Sequence, residues 1–163
     1  MRRPTETKRR AAHFLVAAAT ILIAGALLGG CGTDKKEQFS KDFKPVNDQL
    51  IALGGAVGQA VNGAAKTPDA VLAGEFLGFA TRLGDIKARV ADLDPPDDLK
   101  AQTDRLSAAV SRLETDVRAI GTAARAHKPE AARAATVALL RDSQSAGDAR
   151  RTLARKTGAT VGP

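Results

Sequence analysis

Apolar residues recur through most of this chain at spacings of three and four, the pattern of helices that each bury one face. Phe39, Phe43, Val46, Leu50, Leu53, Val57 and Val61 form a first stripe. Leu72, Phe76, Phe79, Leu83, Ile86, Val90 and Leu93 form a second, and Leu99, Thr103, Leu106, Val110, Leu113, Val117 and Ile120 a third. A fourth, weaker stripe reads Ala132, Thr136, Leu139, Ser143, Ala146, Arg150 and Leu153, with Val137 and Leu140 to one side of it. The breaks are Thr67-Pro68-Asp69, Pro95-Pro96-Asp97-Asp98 and Pro129-Glu130. Proline fits a helix start, where its missing N–H would be unpaired anyway, and the carboxylate beside it suits the positive helix N-terminus. The pattern predicts an all-α fold, an antiparallel up-down-up-down four-helix bundle over residues 45–156, because long helices joined by short connections pack as antiparallel neighbours. Pro45 lies inside the first stripe, so the first helix is either kinked there or starts there. Residues 31–44 are expected to be a tether with a short helical turn, and residues 157–163 a disordered C-terminal tail.

The first thirty residues follow a different rule. Arg2, Arg3, Lys8, Arg9 and Arg10 precede an apolar run from Ala11 to Leu28, the charge and hydropathy layout of an export signal. The run approaches the length of a membrane span, but it ends in Leu28-Gly29-Gly30-Cys31, where Cys31 is the sole cysteine of the chain. This segment resembles the lipobox of bacterial lipoproteins. The resemblance covers residues 1–31 and implies that they behave as a lipoprotein signal peptide. A diacylglyceryl group would be attached to the Cys31 thiol, the chain cut between Gly30 and Cys31, and the new amine open to acylation. Two or more acyl chains anchor a protein firmly where one does not. The implied location is the extracytoplasmic face of a cell membrane, with the signal helix of residues 1–30 removed.

Removing that signal changes the charge. The formal charge of +7 includes 5 of the 25 basic and 1 of the 18 acidic side chains within residues 1–30. The remainder carries 20 basic against 17 acidic groups, a weak excess. There is no Trp or Tyr, and the four Phe beyond residue 30 all fall on the apolar stripes. Nucleic acid, which is gripped by basic patches and stacked on aromatic faces, is therefore not an expected partner. His127 is the one histidine beyond residue 30 and is expected at the end of the third helix, favourable to its dipole. With no second histidine, tyrosine or spare thiol there is no nucleophile–base pair and no nitrogen-and-sulfur metal site, so no enzyme activity and no cofactor are expected. Asp92, Asp94, Asp97 and Asp98 lack the spacing and glycine of an EF-hand loop and read better as helix-terminal charges.

Two features point toward partners. An up-down bundle starting at Cys31 brings the C-terminal end of its fourth helix back to the membrane, so Arg150, Arg151, Arg155 and Lys156 are candidates for headgroup contact. Pairing of that cluster with the aspartates at the same end is the simpler expectation. The second feature is Gly54-Gly55-Ala56-Val57-Gly58, in a helix interior where each glycine costs about 1 kcal/mol against alanine. Gly54 and Gly58, four apart, suit close approach of another helix; alternatively they soften a side of the bundle that opens beside the fourth helix. The leading expectation is a lipid-anchored, non-catalytic interaction or structural module with an envelope protein partner. The alternative is a carrier of an apolar ligand between helices one and four, which requires a cavity of several hundred Å³ lined by Val57, Val61, Leu139 and Leu140.

Overall fold

A computed structural model describes residues 31–162, with side chains from residue 33 onward. The signal segment and Gly30 lie outside the described residues. The described chain is all-α: α1 (Cys31–Gly63), α2 (Asp69–Ala91), α3 (Asp97–Arg125) and α4 (Pro129–Thr157), with a single 3₁₀ turn over Ala64–Lys66. No strand occurs among the described residues, and none of these helices is long and apolar enough to cross a membrane.

The three proline breaks are all helix boundaries. Pro68 and Pro96 cap α2 and α3, and Pro129 opens α4. The Pro68 carbonyl accepts from Val71 and Leu72, the Pro96 carbonyl from Leu99 and Lys100. Side-chain caps are absent at these three starts. The first-turn acids Asp69, Asp97, Asp98 and Glu130 are what complements the exposed N–H groups there. At the end of α3 the Lys128 N–H donates to the Ala123 carbonyl and the His127 N–H to Ala124, a Schellman reversal whose left-handed position is filled by His127 at φ 52°.

Residues 31–44 correct the expectation of a tether. They are the first turns of α1, which continues through the exposed Pro45 without a break. The reason is the pair Phe39 and Phe43, whose rings stack at 5.9 Å and are 1% and 0% exposed. Burying each contributes about 2–3 kcal/mol, which outweighs the roughly 3 kcal/mol cost of an interior proline. The C-terminal segment is corrected in the same way. Gly158 turns the chain at φ 71°, Ala159 donates back to the Ala154 carbonyl and packs on the core, and the Thr160 carbonyl accepts from Asn47.

The core joins Phe39, Phe43 and Phe76 to Leu99, Leu106, Val110, Val117 and Leu153. Helix α3 packs extensively on both α2 and α4, whereas α1 touches α2 and α4 more lightly. Backbones approach closely at Gly121 of α3, where an added Cβ would lie 2.9 Å from Leu77 Cγ and 3.1 Å from its backbone N. At Gly54 and Gly58 such an atom would meet nothing within 4 Å. The close-approach reading of those two glycines is therefore wrong: they face open space.

Candidate functional site

That open space is a pocket of about 380 Å³ between α1 and α4. Leu50, Leu53, Val57 and Val61 of α1 form one wall with Gly54 and Gly58, and Leu139 and Leu140 of α4 form the other. Leu83 from α2 and Leu113 and Val117 from α3 close the floor. Every lining residue is Leu, Val or Gly except Asn62 and Ser143. The four residues expected from the sequence to line such a cavity, Val57, Val61, Leu139 and Leu140, are all in it. The floor is not legible in one helix at a time, since Leu83, Leu113 and Val117 are ordinary members of the second and third stripes.

The cleft exists because its two walls cannot fill it. From Gly54 onward α1 has no fully buried residue, because glycine has no side chain to project inward. On α4, Leu139 is buried, but Leu140, which also lines the cleft, is 58% exposed, and Val137 is 68% exposed. A larger depression of about 530 Å³ between α3 and α4 is lined by Gln102, Arg105, Arg112, Asp148 and other small or polar residues, the lining of a solvated groove.

Toward the start of α1 the cleft adjoins a second chamber of about 280 Å³, which shares Leu50, Gly54, Leu113 and Ser143 with the first and is lined at its far side by Arg150 and Arg151. Here the structure corrects the sequence reading of the basic cluster. Arg150 is only 7% exposed and cannot lie on headgroups from this position. Its Nη1 donates to Asn47 Oδ1 at 3.0 Å, and Asn47, fully buried, donates from Nδ2 to the Thr160 carbonyl at 2.9 Å. Burial, reinforced by neighbouring Arg151, lowers the Arg150 pKa from the ordinary guanidinium value. Among the described residues no carboxylate lies within ion-pair distance of Arg150. Arg151 pairs with Asp148 at 2.8 Å, while Arg155 and Lys156 are exposed. The acidic turn is met by Lys35, paired with Asp94 at 3.1 Å, and not by the C-terminal cluster.

Two other polar clusters bear on stability. Lys87 and Arg118 hold the Glu114 carboxyl below the usual carboxylate range, with the Lys87 hydrogen bond the larger cause. Asp116 is raised, first by burial and then by repulsion from Asp142, and its Oδ2 is a buried oxygen with no hydrogen-bond partner. His127 Nδ1 lies 2.7 Å from Asp69 Oδ2, an exposed pair at a helix end. No cluster of three or more His, Cys, Asp or Glu side chains that could hold a metal occurs among the described residues.

No protein-family model, curated protein or solved structure matches the chain.

Proposed function

We propose that this chain is a lipid-anchored protein of the cell envelope, without catalytic activity, that holds an apolar ligand in the cleft between α1 and α4. The observation that carries the ligand reading is the cleft itself: about 380 Å³, walled by Leu, Val and Gly, at the place where the glycine-rich stretch of α1 meets the weakest helix. An apolar concavity of this size suits an acyl chain or a similar hydrocarbon.

The anchor reading rests on the lipobox-like Leu28-Gly29-Gly30-Cys31 and the signal-like residues before it. Diacylglycerol on Cys31 would tie the membrane directly to the start of α1, with no tether between. The four helices are proposed to run as an antiparallel up-down-up-down bundle. Supporting contacts join Asp69 to His127 and Lys87 to Glu114 between α2 and α3. Others join Gln102 to Ala149 and Arg112 to Asp142 between α3 and α4, and Ser40 to Thr157 and Asn47 to Arg150 between α1 and the end of α4. In each pair of helices an early residue of one meets a late residue of the other. This arrangement brings Arg155 and Lys156 toward the anchored end, where they remain candidates for anionic headgroups.

A test is to purify the full-length lipidated protein from its own membranes and analyse organic extracts by mass spectrometry, beside a Gly58→Leu variant that fills the cleft. A hydrocarbon ligand recovered near one per chain, absent from the variant, is the expected result. Stable capture of a protein partner with no lipid beyond the anchor would overturn the carrier reading. It would favour a second one, in which the exposed Val137 and Leu140 on α4 are the contact surface of an interaction module.

A further inference from the structure

We infer that the ligand of the cleft is a single-chain amphiphile with an anionic head, its hydrocarbon tail lying along α1 and its head on the Arg150 guanidinium. The inference rests on the carrier reading and specifies its ligand class. The apolar chamber and the chamber lined by Arg150 share Leu50, Gly54, Leu113 and Ser143 as walls, so together they make a site apolar at one end and cationic at the other.

Arg150 has the features of a half-made ion pair. A guanidinium carries five donors and keeps its charge in proteins, yet this one is buried, with Asn47 Oδ1 as its described side-chain acceptor. An isolated buried charge is costly unless an opposite charge or several hydrogen bonds compensate it. Asn47 holds the side chain by Nη1, against which Gly162 also lies, an ideal Cβ there being 3.7 Å away, while Nε and Nη2 have no hydrogen-bond partner among the described residues. Arg151, folded over Gly147 so that its Nη1 would lie 3.1 Å from a Cβ placed there, adds a second positive charge at the same end.

The dimensions agree with a long acyl chain. From the level of Asn47 to that of Val61, α1 rises about 21 Å at about 1.5 Å per residue. The chain's own anchor is a poor occupant: the helix rise from Cys31 to Val57 is about 39 Å, beyond an acyl chain held at Cys31. A carboxylate and a phosphate monoester offer the same recognition, since either presents paired oxygens to the guanidinium.

The test uses full-length lipidated protein in neutral phosphatidylcholine nanodiscs and three photoreactive probes, each with a diazirine at the chain end. These are a long-chain fatty acid, its methyl ester, and the lysophosphatidic acid of the same chain. Labelled peptides are mapped by mass spectrometry. The expected result is labelling within residues 50–61 and 139–143 by an acidic probe about tenfold or more above the ester. Arg150→Gln should remove that preference, Arg150→Lys should retain much of it, and ester labelling should continue in both, which shows that the cleft is still formed. The two acids distinguish a free fatty acid from a lysophospholipid. Equal labelling by acids and ester, unchanged in Arg150→Gln, would overturn the headgroup assignment and leave the carrier reading standing. No labelling of the cleft by any probe would overturn both.

Discussion

Asp116 shows how one side chain can work against the fold that contains it. Its carboxyl is partly buried, faces the Asp142 carboxyl, and has a partnerless oxygen. With its pKa raised in the folded protein, Asp116 favours folding in its protonated form, and this contribution is lost as pH rises through the folded pKa. Asp116→Asn should therefore raise the unfolding free energy at pH 7 by about 1 kcal/mol, and the gain should vanish below the ordinary carboxylate range. Urea titrations of both proteins at pH 7 and pH 3 measure the difference. Glu114 has the opposite sign: lowered by Lys87 and Arg118, it contributes stability above its ordinary pKa that is lost as pH falls. Asn47 is the residue on which the cationic end of the cleft depends. Asn47→Ala removes the acceptor of a buried guanidinium and the donor to Thr160, and should cost about 2–3 kcal/mol. Limited proteolysis should then show the segment after Gly158 cut faster than in the parent, and equal rates would mean that Asn47 does not hold it.

Helix α1 combines two unlike halves. Its first half carries the buried Phe39, Phe43, Val46 and Asn47; its second half carries Gly54, Gly55 and Gly58 and, beyond Leu53, buries nothing fully. The first half holds the helix to the core, and the second leaves a cavity that a regular apolar stripe would have filled. Alanine at Gly54 and Gly58 meets no atom within 4 Å and removes the backbone entropy cost of glycine. The double variant should gain about 1–2 kcal/mol in stability, read by thermal unfolding, while the opposite test, Gly121→Ala, should lose stability against Leu77. If the α1 pair proved destabilising, the cleft would be narrower in solution than its walls indicate.

For the molecule as a whole, the lipid and the cleft are proposed to lie on one axis, set by a helix that begins at the anchored residue. Cys31→Ser should leave the uncleaved precursor and abolish incorporation of labelled fatty acid, seen as a slower-migrating band without radioactivity. A Cys31→Ser protein that still acquires lipid would remove the anchor from the account. The helical domain needs no crosslink for this role: α3 lies between α2 and α4, and the apolar faces of all four helices meet in one core.

The number and type of the helices, and the starts of α2, α3 and α4, were legible in the sequence because periodicity and proline punctuation are local: Pro68, Pro96 and Pro129 stand where those three helices begin. The walls of the cleft were legible too, since Val57 and Val61 follow the glycines of the first stripe and Leu139 and Leu140 lie on and beside the weak fourth one. Tertiary structure alone decided what depends on contacts far apart in the chain. Phe39 and Phe43 make residues 31–44 helix and core, because their burial outweighs the local signal of Pro45. Arg150 stands both on the fourth stripe and in the basic cluster, and only the contact with Asn47, 103 positions earlier, decides for the interior. Gly54 and Gly58 have the spacing of a tight helix contact, but spacing cannot say whether a neighbour is there, and none is.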